Sequence, residues 1–136
     1  MKKIRVGVVG VGNCASALIQ GVEFYRRSPD APGLAMPIIG GYGPADIEFS
    51  AAFDVNRDKV GRDLAEAVFI APNNTCRIVD SLPLFDVPVV RGTLLDGIGR
   101  SHATVVAVDD DAAAVDVVRH LQGTQTDVLI NYLPVG

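Results

Sequence analysis

The sequence contains no tryptophan, two cysteines, two histidines and three lysines among its 136 residues. Each scarcity excludes something. Cys14 and Cys76 do not form a metal-spaced pair, and two cysteines make no disulfide framework. Basic residues cluster only at Lys2-Lys3 and Arg26-Arg27, and the net charge is −4. Without a phosphate-tracking basic patch, nucleic acid is not expected as a partner. No apolar run approaches the roughly 20 residues of a membrane helix, so no membrane partner is expected. The first apolar run is broken by glycines and followed by no cleavage site, so it does not read as a signal peptide. Asn73-Asn74-Thr75 matches a glycosylation acceptor, which carries little meaning without secretion. The absences together lead to the expectation of a cytoplasmic protein. What remains is 49% hydrophobic and 21% charged, a core-forming composition with the length of one domain.

The order of elements is legible from pattern. Lys3 to Val9 reads as a buried strand, β-branched and ended by glycine. Asn13 to Tyr25 reads as a helix, with Ala17, Leu18, Gly21, Val22 and Tyr25 on one face. Ser28 to Pro44 holds four prolines and four glycines and reads as a long irregular loop. Loops of that length in small domains are commonly functional or contact another chain. Strands are expected over Ile47–Val55, Val87–Val90, Thr104–Val108 and the segment DVLINYL. Helices are expected over Asp58–Val68, capped near Asn56, and from Asp109 to His120, ended by Gly123. Strands alternating with helices predict an α/β fold, a Rossmann-like doubly wound parallel sheet. Its ligands would sit at the carboxyl ends of the strands.

The stretch VGVVGVGNCASAL concentrates the functional signal. Gly10-Val11-Gly12-Asn13-Cys14-Ala15 has the form G-x-G-x-x-A between a strand and a helix. In a dinucleotide site Gly10 permits the tight turn, Gly12 lets a pyrophosphate reach the backbone, and Ala15 lets the helix pack close. The backbone amides from Gly10 through Cys14 then face the phosphates, favoured by the helix dipole. The alternative is a merely tight βα turn; the strand-to-helix context favours the dinucleotide. Gly7, inside the strand, is expected to relieve packing against the helix.

Other polar positions admit two readings each. Asp54 ends the second strand where a carboxylate would hold an adenosine ribose and repel a 2′-phosphate, favouring NAD over NADP; alternatively it caps the following helix. Asn73, Asn74 and Thr75 could line the adenine side of a pocket or form an Asx turn, and spacing alone favours the turn. Cys14 could be a nucleophile, but a small buried residue in the first helical turn is the simpler reading. Asp109 to Asp111 suit a helix N-terminus better than a cation site. His102 has no evident partner, and His120 suits a helix end. No catalytic residue and no metal ligand set is found.

VGVVGVGNCASALIQGVEFY, AAFDVNRDKVGRDLAEA, NNT, RGTLLDGIG and DVLINYLPVG together resemble the myo-inositol-1-phosphate synthases, specifically their shorter archaeal and actinobacterial branch. The likeness covers nearly the whole chain. It implies an NAD-dependent isomerisation of glucose 6-phosphate to 1D-myo-inositol 3-phosphate. Oxidation at C5 acidifies C6, the C6 enolate attacks the C1 aldehyde, and reduction follows, so no net oxidation occurs. It further implies Gly10, Gly12, Asn13 and Cys14 as the pyrophosphate turn and Asp54 as the ribose acid. Asn74 and Thr75 become a pocket turn, and Leu133 and Pro134 the segment near the nicotinamide. A homotetramer and roles in inositol and phospholipid biosynthesis are also implied.

The chain departs from the family in what it lacks. Its lysines are Lys2, Lys3 and Lys59, none in a plausible catalytic position, and Asn131 stands where serine is common. Residues 1–136 are therefore expected to be the NAD-binding domain, with the catalytic and tetramerisation part absent. Another NAD-dependent oxidoreductase's first domain, or a non-enzymatic NAD-sensing module, are the competing readings. The isolated chain is predicted to release no inositol phosphate from glucose 6-phosphate; catalytic turnover in that assay overturns the expectation.

Overall fold

β-Branched residues on both sides of Gly7 extend the chain as β1 (Ile4–Val9), the first strand of a sheet buried on one face. A computed structural model describes residues 3–94 and 106–133. In chain order the further elements are α1 (Asn13–Arg27), β2 (Ile47–Asp54), α2 (Leu64–Ala67), β3 (Val89–Arg91), α3 (Val117–Gly123) and β4 (Val128–Asn131), with a 3₁₀ turn at Pro44–Asp46. The four strands are parallel in the order β3-β2-β1-β4. The chain moves outward from β1 to β3, then crosses back to lay β4 on the other side of β1. That reversal is the doubly wound pattern, and it places a crevice at the carboxyl ends of the central strands.

One face of the sheet carries the core. Val6, Val8, Phe49 and Ala52 pack with Ala15, Ile19 and Val22 of α1 and with Leu64, Ala67 and Val68 around α2. Full burial of a side chain such as Ile19 contributes about 1.5–3 kcal/mol. On the opposite face the Phe53 ring meets His120 of α3 edge-on, with centroids 5.3 Å apart. His120 thus packs against the sheet as well as lying near a helix end. Gly7 also serves this second face. A Cβ there would lie 3.0 Å from Leu129 Cδ1 and 3.2 Å from Thr126 Cγ2, so Gly7 makes room for the β4 side, not for the helix as the sequence suggested.

Two expected helices are shorter in the structure. In place of a helix from Asp58, residues 56–61 form a turn: Asn56 Oδ1 accepts from the Asp58 N–H at 3.0 Å, and Gly61 leaves helical space at φ +84°. α2 then starts under a separate cap, with Asp63 Oδ1 accepting from Ala65 N–H at 2.9 Å. The second helix starts at Val117, capped by Asp116, and not at Asp109. Asp109 instead closes a turn by accepting from Asp111 and Ala112 N–H. Of the strand expected over Thr104–Val108, Thr104 and Val105 lie outside the described residues, and Val108 forms an isolated antiparallel bridge with Asn56. The strand expected at Val87–Val90 starts two residues later and ends one later, as β3. In the long loop, Ile39 and Tyr42 bridge across Gly40-Gly41, both at positive φ as a tight hairpin requires.

Asp63 does more than cap α2. Its carboxylate also accepts from Phe85 N–H at 3.2 Å and Val87 N–H at 3.0 Å, tying the approach to β3 onto the helix. Asp63→Ala removes a cap and leaves two backbone donors unpaired. It should lower unfolding stability in urea by about 2–3 kcal/mol, with Asp63→Asn costing less.

Candidate functional site

The turn after β1 is built residue by residue. Gly10 sits at φ +87°, and a Cβ on it would lie 3.4 Å from the Tyr132 carbonyl and from Leu133 Cδ2. Glycine is therefore demanded by the conformation and crowded by the chain after β4. Its N–H donates to the Phe53 carbonyl at 2.9 Å, so Gly10 is committed to the turn and offers no amide to a ligand. Val11 is buried, and its N–H donates to Asp54 Oδ2 at 2.7 Å. Of the run of amides expected to face phosphates, these two are accordingly occupied within the protein. Gly12, Asn13 and Cys14 follow, and no partner for their N–H groups is found among the described residues. The first bond of α1 runs from Ser16 N–H to the Gly12 carbonyl at 2.9 Å, leaving those three and the N–H of Ala15 as the orphan donors of a helix N-terminus. Gly12 differs from Gly10 in kind: its φ is −107° and a Cβ would meet nothing within 4 Å. Ala15, fully buried, closes the helix onto the sheet, whereas Cys14, expected to be buried, is exposed because its side chain points away from that interface.

Asp54 lies at the end of β2 facing this turn. Oδ2 holds Val11; Oδ1 accepts from Val55 N–H at 2.7 Å and Asn56 N–H at 2.8 Å. Asp54 caps no helix, because a turn follows it and Asp63 caps α2; its carboxylate closes that turn and staples the glycine turn. A carboxylate has roughly four acceptor positions, so one remains beside the cleft. The sequence reading, with both ribose hydroxyls on this carboxylate, meets a group that has one position to give.

The Asn73–Thr75 turn is an Asx turn, Asn73 Oδ1 accepting from Thr75 N–H at 2.8 Å. It is also tied to the start of α1. Asn74 N–H donates to Asn13 Oδ1 at 2.8 Å, and the Thr75 hydroxyl donates to the Asn13 carbonyl at 2.9 Å. Asn13, Asn74 and Thr75 are thus brought together, as a clamp on the first helical turn. Gln20, a buried residue the sequence reading passed over, extends the clamp by accepting from Ile78 N–H at 2.7 Å and donating to Ser16 and the Cys76 carbonyl. Its glutamine-in-a-small-residue-helix setting was the available signal.

A cleft of about 290 Å³ opens at the carboxyl ends of the strands, walled by Gly10, Phe53, Asp54, Gly92, Val117 and Leu133 among others. Leu133 is half-exposed there; Pro134 lies outside the described residues, as does His102. Beneath the turn, Lys59 is buried and its ammonium donates to the Val11 carbonyl at 2.6 Å. Burial pushes its pKa down, while the Asp54 carboxylate pulls the other way. The sequence gives Lys59 no plausible catalytic position, and its burial beneath the turn rests on a contact 48 positions away. Burial, and secondarily Cys14, raises the Tyr132 phenol above its ordinary value, so it stays protonated at neutral pH. Among the described residues no group of three or more His, Cys, Asp or Glu side chains could hold a metal ion, and no helix is long and apolar enough to cross a membrane.

No family model matches the chain. It is 51% identical to the inositol-3-phosphate synthase of Mycolicibacterium smegmatis, over 98% of this chain and 37% of that protein. The proteins of the same name from Mycobacterium tuberculosis and Corynebacterium glutamicum are 49% and 48% identical, with the same coverage. Among solved structures, that of Ari2 superposes with a TM-score of 0.80 at 35% identity, covering 99% of this chain and 39% of that one. A myo-inositol-1-phosphate synthase-related protein from Thermotoga maritima gives a TM-score of 0.72 at 26% identity, covering 96% and 34%. The chain spans 37% of the length of the curated relatives it matches. Along nearly its whole length the chain, with its parallel α/β sheet, is thus similar to part of the inositol-3-phosphate synthases.

Proposed function

We propose that this chain is the NAD-binding part of an inositol-3-phosphate synthase, which isomerises glucose 6-phosphate to 1D-myo-inositol 3-phosphate as a homotetramer. The observation that carries the reading is the space at Gly12. Neither backbone conformation nor any neighbouring atom requires glycine there, yet the orphan amides of Gly12, Asn13 and Cys14 lie at that point. A pyrophosphate accounts for both: it needs donors, and a Cβ would obstruct it.

The other residues fit the same ligand. Gly12, Asn13 and Cys14 would hold the pyrophosphate, and the dipole of the 15-residue α1 would add to the attraction. Asp54 has one acceptor position for a ribose hydroxyl and a charge that repels a 2′-phosphate. The apolar walls from Phe53, Val55 and Val117 suit an adenine ring. Leu133 borders the same cleft, and the resemblance implies that Leu133 and Pro134 serve the nicotinamide side. Asn74 and Thr75 serve chiefly by fixing Asn13, with the exposed Asn74 carboxamide left to reach a ligand at the rim. When bound, NAD supplies a reversible hydride acceptor, which a reaction without net oxidation requires. Binding glucose 6-phosphate and stabilising its enolate fall to residues outside this chain.

Titration calorimetry tests the reading. NAD should bind more tightly than NADP, and Asp54→Asn should weaken NAD by about 1–3 kcal/mol, the scale of a charge-assisted hydrogen bond. Gly10 and Gly12 should separate folding from binding. Gly10→Ala should lower stability by about 1–2 kcal/mol through its positive φ. Gly12→Ala should leave stability within about 0.5 kcal/mol of the parent yet weaken NAD by roughly tenfold or more. NAD binding that is indifferent to Gly12→Ala, or a parent chain that prefers NADP, overturns the proposal.

A further inference from the structure

Lys59 is the one residue near the glycine turn whose placement the proposed NAD site does not explain. It is 3% exposed, and burying an ammonium is costly unless it is paired. Its partner among the described residues is a single carbonyl, that of Val11, at 2.6 Å. The same residue is held at its other end, since Val11 N–H donates to Asp54 Oδ2 at 2.7 Å. Its side chain is wholly buried in the core between α1 and the sheet. Val11 is therefore fixed at all three of its substituents, by a carboxylate, by an ammonium and by packing.

Both charged groups come from one short segment. Asp54 ends β2 and Lys59 lies in the turn that follows, five residues on. That turn is itself rigid: Asp54 Oδ1 accepts from Asn56 N–H, Asn56 Oδ1 accepts from Asp58 N–H at 3.0 Å, and Lys59 N–H donates to the Asn56 carbonyl at 3.0 Å. The broken helix after β2 thereby acquires a purpose. A continuous helix from Asp58 would have carried Lys59 along its axis; the turn delivers it beneath the glycine loop.

We propose that Lys59 is a positioning residue for dinucleotide binding: with Asp54 it grips Val11 from both ends and sets the loop so that the amides of Gly12, Asn13 and Cys14 converge on a pyrophosphate. The inference rests on the NAD reading of the site. Lys59 touches no ligand in this role, and the buried charge serves the orientation of the loop in preference to stability. Replacing a buried charge with an apolar side chain of similar length is often neutral or stabilising for a fold, so the two roles separate experimentally.

The test uses the full chain with NAD, ADP and adenosine as probes, read by titration calorimetry, and melting temperature read alongside. Lys59→Met should melt within a few degrees of the parent while binding NAD and ADP at least tenfold more weakly and adenosine unchanged, because only the first two carry a pyrophosphate. Lys59→Arg, which restores a charged donor, should recover most of the NAD affinity. Unaltered NAD affinity in Lys59→Met overturns the inference, as does an equal loss for adenosine, which marks a general structural role. If Lys59→Met does not fold, Lys59→Arg decides: NAD affinity within a few-fold of the parent supports the role, and a folded variant that no longer binds NAD removes it. A parent chain that binds neither NAD nor ADP would instead overturn the NAD reading itself.

Discussion

The chain must leave β1, reverse direction and enter α1 within three residues, and a carboxylate across the gap makes that turn hold. Asp54 collects three backbone N–H groups, from Val11, Val55 and Asn56, onto one side chain. It joins the end of β1 to the end of β2 at a point where the strands have ceased to pair. Without it, the Val11 N–H would be a buried donor lacking an acceptor, a defect comparable in cost to a broken hydrogen bond. The helix start, the close approach of the chain after β4 to Gly10, and the mouth of the cleft all take their positions from this joint.

The electrostatics of the site follow from main chain more than from side chains. The protein carries a net charge of −4, and its one lysine near the turn is buried beneath it. An anion approaching the start of α1 meets N–H dipoles and the positive end of a helix, with an acidic side chain a short distance away. Such an arrangement discriminates by shape. In the proposed NAD site it would admit a group that fits among the amides and disfavour extra negative charge near Asp54. The clamp from Asn74, Thr75 and Gln20 keeps the donors from rearranging as a ligand arrives.

How much of this was legible in the sequence depends on whether the cause is local. The parallel α/β fold and the G-x-G-x-x-A turn were readable because both rest on short-range patterns: β-branched runs, helical periodicity and glycines at fixed spacing. The helix expected from Asp58 failed because Gly61 and the two Asx-type caps, Asn56 and Asp63, act against a periodicity that looks favourable when averaged. The helix expected from Asp109 failed for a similar reason, since three consecutive aspartates can cap a turn as readily as a helix. Gly7 was assigned to the wrong face because strand alternation alone does not say which neighbour lies opposite; the bulge between Val6 and Gly7 settles the register only in three dimensions. Lys59 and the second duty of Asp54 were beyond reach, because each depends on a contact made more than 40 positions away.

The strand order has a consequence for how the chain is made. β1 pairs with β2 on one edge and with β4 on the other, Val6 through Val9 lying beside Val128 through Asn131. β1 therefore keeps one edge bare until β4 emerges, more than a hundred residues later. Closing so distant a pairing is slow, and an uncovered apolar edge is the surface on which nascent chains stick to one another. Gly7, with no side chain to offer a stray partner, sits in the middle of that waiting edge.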